Sequence, residues 1–590
     1  MLEIEDETPS TMNSGSVSAL IRREIRTAPS EQSIWTSVQD ETTFRHAAVD
    51  LALATGECPW DADVGLPPLL GAPHIDDYMH LPQPQAESQE NYILSEQIEH
   101  RLANDFALLA ASKEAVFSVT AACLEERVDL SGHLTGLKLW LAANEGVSEE
   151  LKGSLAEIWH CLSESTAEAE TVRRVFAKIV HLNRLRIYQR VRKAVGHPPI
   201  FREKGRTRTN PCDKLARAFT RMPKSRPTEK WKPPEQCHEL VRRGLALNVE
   251  LLALLESLSV DEIEQGSDDV VRQVEHISQE CFNVTTDNGR VPFKQLLVDC
   301  ELDARLWLKN KYVGEVDKIG AYWRTAMSMF QIHRHLSRAR PQTLPPIKLE
   351  VEGVRPYVSV TNEPSIQGRP MPCYVHAEVQ LITHLAQQEA RAEFETSSTQ
   401  QKGTRRPRII GASKSACFLC FLFLNCYGGP RSPATHGRLY DQWTVPDLAE
   451  YTTDQTEHLR QALRRMHIAM VRLRGDYCRK KPRDHPMTSR VDIDRLSLFS
   501  TTEDTDTREA VIESKNDAEM LDGASPGFVR FEAPKKATNV EGNQETERRT
   551  EDSITREKKD PSADEENMHG LRNLLERCWV KIQHLGSANQ

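Results

Sequence analysis

The chain is poor in aromatic residues, which fill 6% of its 590 positions, and its hydrophobic fraction is only 39%. Such levels permit folded cores but imply long polar segments beside them, and the length favours two folded units over one. No apolar run is long enough to cross a bilayer, so no membrane span is expected. The N-terminus, Met-Leu-Glu-Ile-Glu-Asp-Glu, lacks the basic start and apolar stretch of a secretory signal. A disulfide framework is missing too: the 13 cysteines are odd in number and irregularly spaced, the pattern of a reducing, intracellular compartment such as cytoplasm or nucleus. No fixed-period repeat is evident, which argues against a solenoid.

The formal net charge of −10 argues against indiscriminate nucleic-acid binding by the whole molecule. Its distribution is uneven. Between Phe201 and Pro234 eleven Lys and Arg face three acidic residues, with Arg206, Arg208, Arg217 and Arg221 among the eleven. A second basic stretch runs from Arg460 through Arg464, Arg465, Arg472 and Arg474 to Lys481 and Arg483. Both have the charge to track phosphates; a solvated loop and a solvated helix face are the favoured reading, because charge runs alone say little.

Patterning divides the chain. Residues 1–37 are polar and acidic and read as a disordered leader. From 38 to 340 the apolar residues recur at helical intervals, as in Val172, Val175, Phe176, Ile179 and Leu182. Further helical stretches fall at Glu235 to Leu258, Asp269 to Cys281 and Ala321 to Arg338; strand-like alternation is scarce, which predicts a mainly α-helical domain broken by the basic loop near 201–234. After Pro345 and Pro346 the character changes. Strands are expected at Ile347 to Val351 and Tyr357 to Val360, around a turn at Glu352-Gly353, then a helix from His376 to about Arg391. A strand at Arg408 to Gly411, an apolar helix from Ala416 to Tyr427, a strand over Leu439 to Val445 and a helix from Asp447 to Asp476 complete residues 341–490, an order that buries helices against a sheet. Residues 491–570 read as a disordered charged tail, and the apolar stripe of Leu571, Leu574, Leu575, Cys578, Trp579, Ile582 and Leu585 makes 571–590 a short amphipathic helix. It would dock on a partner protein or back onto this chain.

The chemistry concentrates in 341–490. His376, Cys417 and Cys420 are zinc-type ligands, and Cys-x-x-Cys at a helix start puts two sulfurs on one face, where the helix dipole favours thiolates. Three ligands leave one tetrahedral position for water, as in catalytic rather than structural zinc sites. Glu378, two residues after His376, is then left unligated to move protons. Its presence is superfluous to a purely structural site.

Val375-His376-Ala377-Glu378-Val379-Gln380-Leu381, Ser413 through Cys420, and Thr435-His436-Gly437-Arg438-Leu439-Tyr440 running into Trp443 resemble a deaminase-like family abundant in fungi and related to bacterial toxin deaminases. That family lies within the zinc-dependent cytidine-deaminase-like superfamily, whose signature is His-x-Glu followed by Pro-Cys-x-x-Cys. Ala416 stands where the superfamily usually has Pro, which a helix start tolerates but does not require. The resemblance implies a cytidine-deaminase-like α/β/α domain after the helical one, with both half-motifs at helix starts on one side of the sheet. It also implies Zn2+ as cofactor and Glu378 as the proton carrier in hydrolysis of an exocyclic amine of cytosine or adenine, in a nucleoside, nucleotide or nucleic acid. Asn362, His436 and Arg438 are the substrate-binding candidates, each set against a turn or fold-stabilising role. Cys426 and Cys373 read as core and neighbour rather than ligands, and Cys161, Cys237 and Cys281 as packing residues. The rival readings are a catalytically inactive, zinc-stabilised interaction scaffold and a hydrolase acting on a different substrate, such as a protein modifier.

Overall fold

A computed structural model describes residues 22–36, 40–59, 92–113, 119–164, 167–197, 214–225, 232–308, 310–362, 371–394, 403–432 and 435–477. Residues 1–21 of the expected leader, Arg206, Arg208 and most of the basic loop, the end of the second basic stretch, the charged tail and the C-terminal amphipathic stripe lie outside them. Among the described residues, no helix is long and apolar enough to cross a membrane.

The structure is rich in helix and built on a mixed sheet. Helix α1 (Glu41–Thr55) starts where Asp40 accepts the Thr43 N–H at 2.7 Å and ends at Gly56, which adopts the left-handed conformation that glycine tolerates best. Helix α2 (Glu96–Ala110), capped by Ser95, leads to strands β1 (Thr120–Val128) and β2 (Leu134–Ala143). These pair antiparallel from Thr120 opposite Ala143 to Val128 opposite Leu134. Their turn is held by Asp129, whose carboxylate accepts the N–H groups of Ser131 and His133. Helices α3 (Glu149–Leu162), α4 (Glu168–Val195), α5 (Lys214–Arg221), α6 (Glu235–Ser257), α7 (Asp268–Thr286) and α8 (Lys311–Arg338) follow. Arg217 and Arg221 of the basic stretch therefore sit on α5.

The chain then returns to the sheet. Strand β3 (Lys348–Gly353) pairs parallel with β2, while β4 (Val360–Asn362) and β5 (Met371–Cys373) form a separate antiparallel pair. Helix α9 (Ala377–Phe394) is followed by β6 (Thr404–Arg405) and β7 (Gly411–Ala412), which both pair antiparallel with β1, and by helices α10 (Phe418–Tyr427) and α11 (Thr453–Tyr477). The sheet order is β3-β2-β1-β6, with β7 also on β1.

The sheet is a wall between two cores. Ala122, Leu124, Leu137, Leu139 and Leu141 face a core shared with α2, α3, α4, α6, α7 and α8. Their neighbours Ala121, Cys123, Trp140 and Ala142 face the other core, with α1, α9, α10 and α11. This alternation follows from the two-residue period of a strand. It also explains why β1 and β2 escaped detection within the segment expected to be helical: strands covered on both faces lose the polar half of the pattern. Gly411 permits the close approach of α2, since a Cβ there would stand 2.3 Å from the Ala103 carbonyl carbon.

Other elements differ from expectation in their pairing. Tyr357 makes only a bridge to Arg23, and the expected turn at Glu352-Gly353 is replaced by the parallel register of β3 on β2. Over Leu439 to Val445 the described backbone shows an isolated bridge, Trp443 to Tyr374, rather than a strand. Residues 22–36, read as leader, are packed: Ile25 and Ile34 are buried, and the Ile34 N–H donates to the Asp447 carboxylate at 3.0 Å. Two apolar residues among polar ones leave no periodic trace.

Candidate metal centre

His376 precedes the first turn of α9, and its carbonyl accepts the Gln380 N–H at 2.9 Å. The Gln380 side chain reaches back to the Val375 carbonyl at 2.8 Å, fixing the turn that aims the imidazole. The segment ahead is anchored on both sides, because the Tyr374 N–H donates to Gln442 and the Thr444 N–H donates to Tyr374. Cys417 is the N-cap of α10, and its sulfur takes the place of the usual capping oxygen, accepting the Cys420 N–H at 3.4 Å. One helical turn later Cys420 lies on the same face.

Both helix starts meet at a single point. His376 Nδ1 is 3.5 Å from Cys417 Sγ and 3.4 Å from Cys420 Sγ. Among the described residues these three make the one group of His, Cys, Asp or Glu whose ligand atoms converge, all within 4.8 Å of one another. The spacing fits a metal: zinc bonds of ordinary length to nitrogen and sulfur, at tetrahedral angles, place N and S about 3.6 Å apart. Cys373 lies outside the group and instead accepts Arg45 Nη1 at 3.0 Å. Cys426 is buried in α10, its thiol pushed up to about 12 by burial. Cys161, Cys237 and Cys281 are buried away from the group.

Electrostatics favours a thiolate at Cys417. Burial opposes ionisation, but the hydrogen bonds from Cys420 and the charge of His376 outweigh it and hold the Cys417 thiol well below its usual range. Its partner Cys420 keeps the proton, raised first by burial, then by its hydrogen bond to Cys417 and by the Cys417 charge. Glu378 is buried beside them, with Oε2 accepting from Cys420 Sγ at 3.5 Å. Burial, reinforced by the Cys417 charge, raises its proton affinity above that of an ordinary carboxylate.

The segment after α10 folds over the same helix start. The His436 N–H donates to the Ala416 carbonyl at 3.1 Å, and the Phe418 N–H donates to the Arg438 carbonyl at 2.8 Å, which brackets Cys417. His436 is buried, and burial lowers its pKa. Its Nδ1 accepts the Arg438 N–H at 3.1 Å, so the neutral ring carries its proton on Nε2. The Arg438 guanidinium lies 5.2 Å from the Tyr440 ring centroid and donates from Nη2 to Glu57 at 2.7 Å. Glu57 went unnoticed in the sequence, being 381 residues from Arg438 with no local pattern to mark it. Asn362 ends β4 with its backbone paired opposite Met371, and its side chain lies outside the described residues.

Residues 375–447 match a family model described as OTT_1508-like deaminase. The matched stretch holds His376, Glu378, both cysteines, His436 and Arg438, and it supports a deaminase-like family for this part of the chain. Neither the curated proteins nor the solved structures contain a match to the chain.

Proposed function

We propose that the protein is a zinc-dependent hydrolytic deaminase acting on the exocyclic amine of a cytosine- or adenine-type base. The observation that carries this reading is the convergence of His376 Nδ1, Cys417 Sγ and Cys420 Sγ with a buried carboxylate, Glu378, beside them. The deaminase family match over the same residues supports it. A zinc ion held by His376, Cys417 and Cys420 would supply the Lewis acidity that makes water a nucleophile near neutral pH.

The chain's own residues do the rest. Glu378 accepts one proton of the attacking water and delivers it to a ring nitrogen of the base, then takes the second from the new hydroxyl on the ring carbon and delivers it to the departing amine. His436, neutral and protonated on Nε2, and Arg438 are donors at the edge of the same helix start and would hold the base or its attached groups. Asn362 remains a third candidate contact.

The arrangement we propose is cytidine-deaminase-like. Its support is that α9 and α10, which begin at the two half-motifs, share one core against one face of the sheet. The helices from Glu149 to Arg338 cover the opposite face and fall, in chain order, between β2 and β3. An ammonia-release assay on free nucleosides, nucleotides, single-stranded DNA and RNA, and duplexes tests the reading and identifies the base.

A further inference from the structure

We propose that Glu57, just past the end of α1, is a positioning residue of this site: it fixes the Arg438 guanidinium so that Arg438 binds an acceptor oxygen of the substrate. Glu57 grips the segment twice. Its carboxylate receives Arg438 Nη2 at 2.7 Å, and its carbonyl receives the Leu439 N–H at 2.9 Å. Arg438 is joined in turn to the metal-binding helix start, through its carbonyl to the Phe418 N–H beside Cys417 and through its N–H to His436 Nδ1. With Tyr440 against the guanidinium and Glu57 on Nη2, two neighbours set its orientation.

Two features favour a role in binding over simple fastening. Glu57 has φ +63° directly after Gly56 at +61°, so a side chain is kept where glycine would be the less strained choice. The backbone link to Leu439 needs only a carbonyl and would survive such a glycine, whereas among the described residues the carboxylate binds Arg438. A pair whose side chains are 32% and 36% exposed adds little to stability. Arg438 itself keeps one-third of its side chain open to solvent while Glu57 holds Nη2, and an oriented, exposed guanidinium edge fits a ligand oxygen, either a base carbonyl or a phosphate.

The turnover arm of the test rests on the deaminase reading, and the chemical-modification arm does not. Full-length, zinc-loaded parent, Glu57→Gly and Glu57→Gln are treated with phenylglyoxal, and modification of Arg438 is followed by peptide mass spectrometry. Cytidine, cytidine 5′-monophosphate, adenosine and adenosine 5′-monophosphate serve as protecting probes. Both variants should keep the zinc content of the parent, and Glu57→Gly should unfold at the same temperature or higher. Arg438 should react about tenfold faster in both, and KM on a turned-over probe should rise about tenfold with kcat changed less than about threefold. Protection by the monophosphates alone identifies a phosphate oxygen; protection by nucleosides as well identifies the base. Equal Arg438 reactivity in parent and variants, absence of protection by all four probes, or a fall in kcat at constant KM overturns the proposal. Protection without turnover by the parent overturns the deaminase reading and leaves the positioning role standing.

Discussion

Glu99, on α2, accepts the backbone N–H of Arg408 at 2.7 Å and its Nε at 2.8 Å, across 309 residues of chain. The same carboxylate takes the Ile409 N–H at 3.1 Å. A buried carboxylate thus satisfies the backbone that enters β7, a strand end too short to satisfy itself by pairing. Glu99→Ala strands the two backbone donors and Arg408 Nε, while the guanidinium keeps Leu94 and Tyr92, and should cost about 3 kcal/mol in denaturant unfolding. Glu99→Gln keeps an acceptor oxygen and should cost less than half as much. Equal costs for the two would remove the hydrogen bonds from the explanation.

Purified protein should carry about one zinc ion per chain, the stoichiometry of one His-Cys-Cys centre. The Cys417→Ser, Cys420→Ser double variant should carry none, and elemental analysis against protein concentration decides it. Zinc unchanged in that variant would move the metal elsewhere.

His333 gives the acid limb of stability a specific source. It is buried against the Trp159 ring and Ser163 Oγ, and burial, helped by the charge of Arg340, lowers its pKa to about 4. The unfolded chain binds this proton near pH 6.5, before the folded one does. Its contribution is therefore complete above about pH 6.5 and is lost as pH falls toward 4, by up to about 3 kcal/mol at 1.36 kcal/mol per unit. Unfolding free energies between pH 7 and 4 should fall less steeply in His333→Gln than in the parent. Parallel profiles would assign the acid sensitivity to other groups.

The site was more legible than the scaffold, for physical reasons. His376 with Glu378, and Cys417 with Cys420, are local spacings on helix starts, so the cluster of possible metal ligands is written within a few residues. Long amphipathic helices such as α4 and α6 announce themselves through a repeated apolar stripe. The hairpin of β1 and β2 does not, because Ala121 and Ala122 are both buried, on opposite faces. Glu57 and the residues around Ile25 and Ile34 gain meaning only through partners hundreds of positions away, Arg438 for one and Asp447 for the other. Such contacts depend on the assembled fold, which no local period encodes.

His376→Ala removes a ligand and should lose metal and destabilise the domain around α9 and α10, measured as zinc content and thermal midpoint. Retained zinc at parental stoichiometry would exclude His376 from the ligand set.

The central claim is tested most directly by ammonia release from zinc-loaded parent and Glu378→Gln, on the best substrate of the nucleoside and nucleic-acid panel. The amide preserves the shape of the side chain but cannot cycle a proton, so the variant should keep its zinc and fold while losing roughly 10²-fold or more in kcat. A Glu378→Gln protein that releases ammonia at the parental rate would contradict the account.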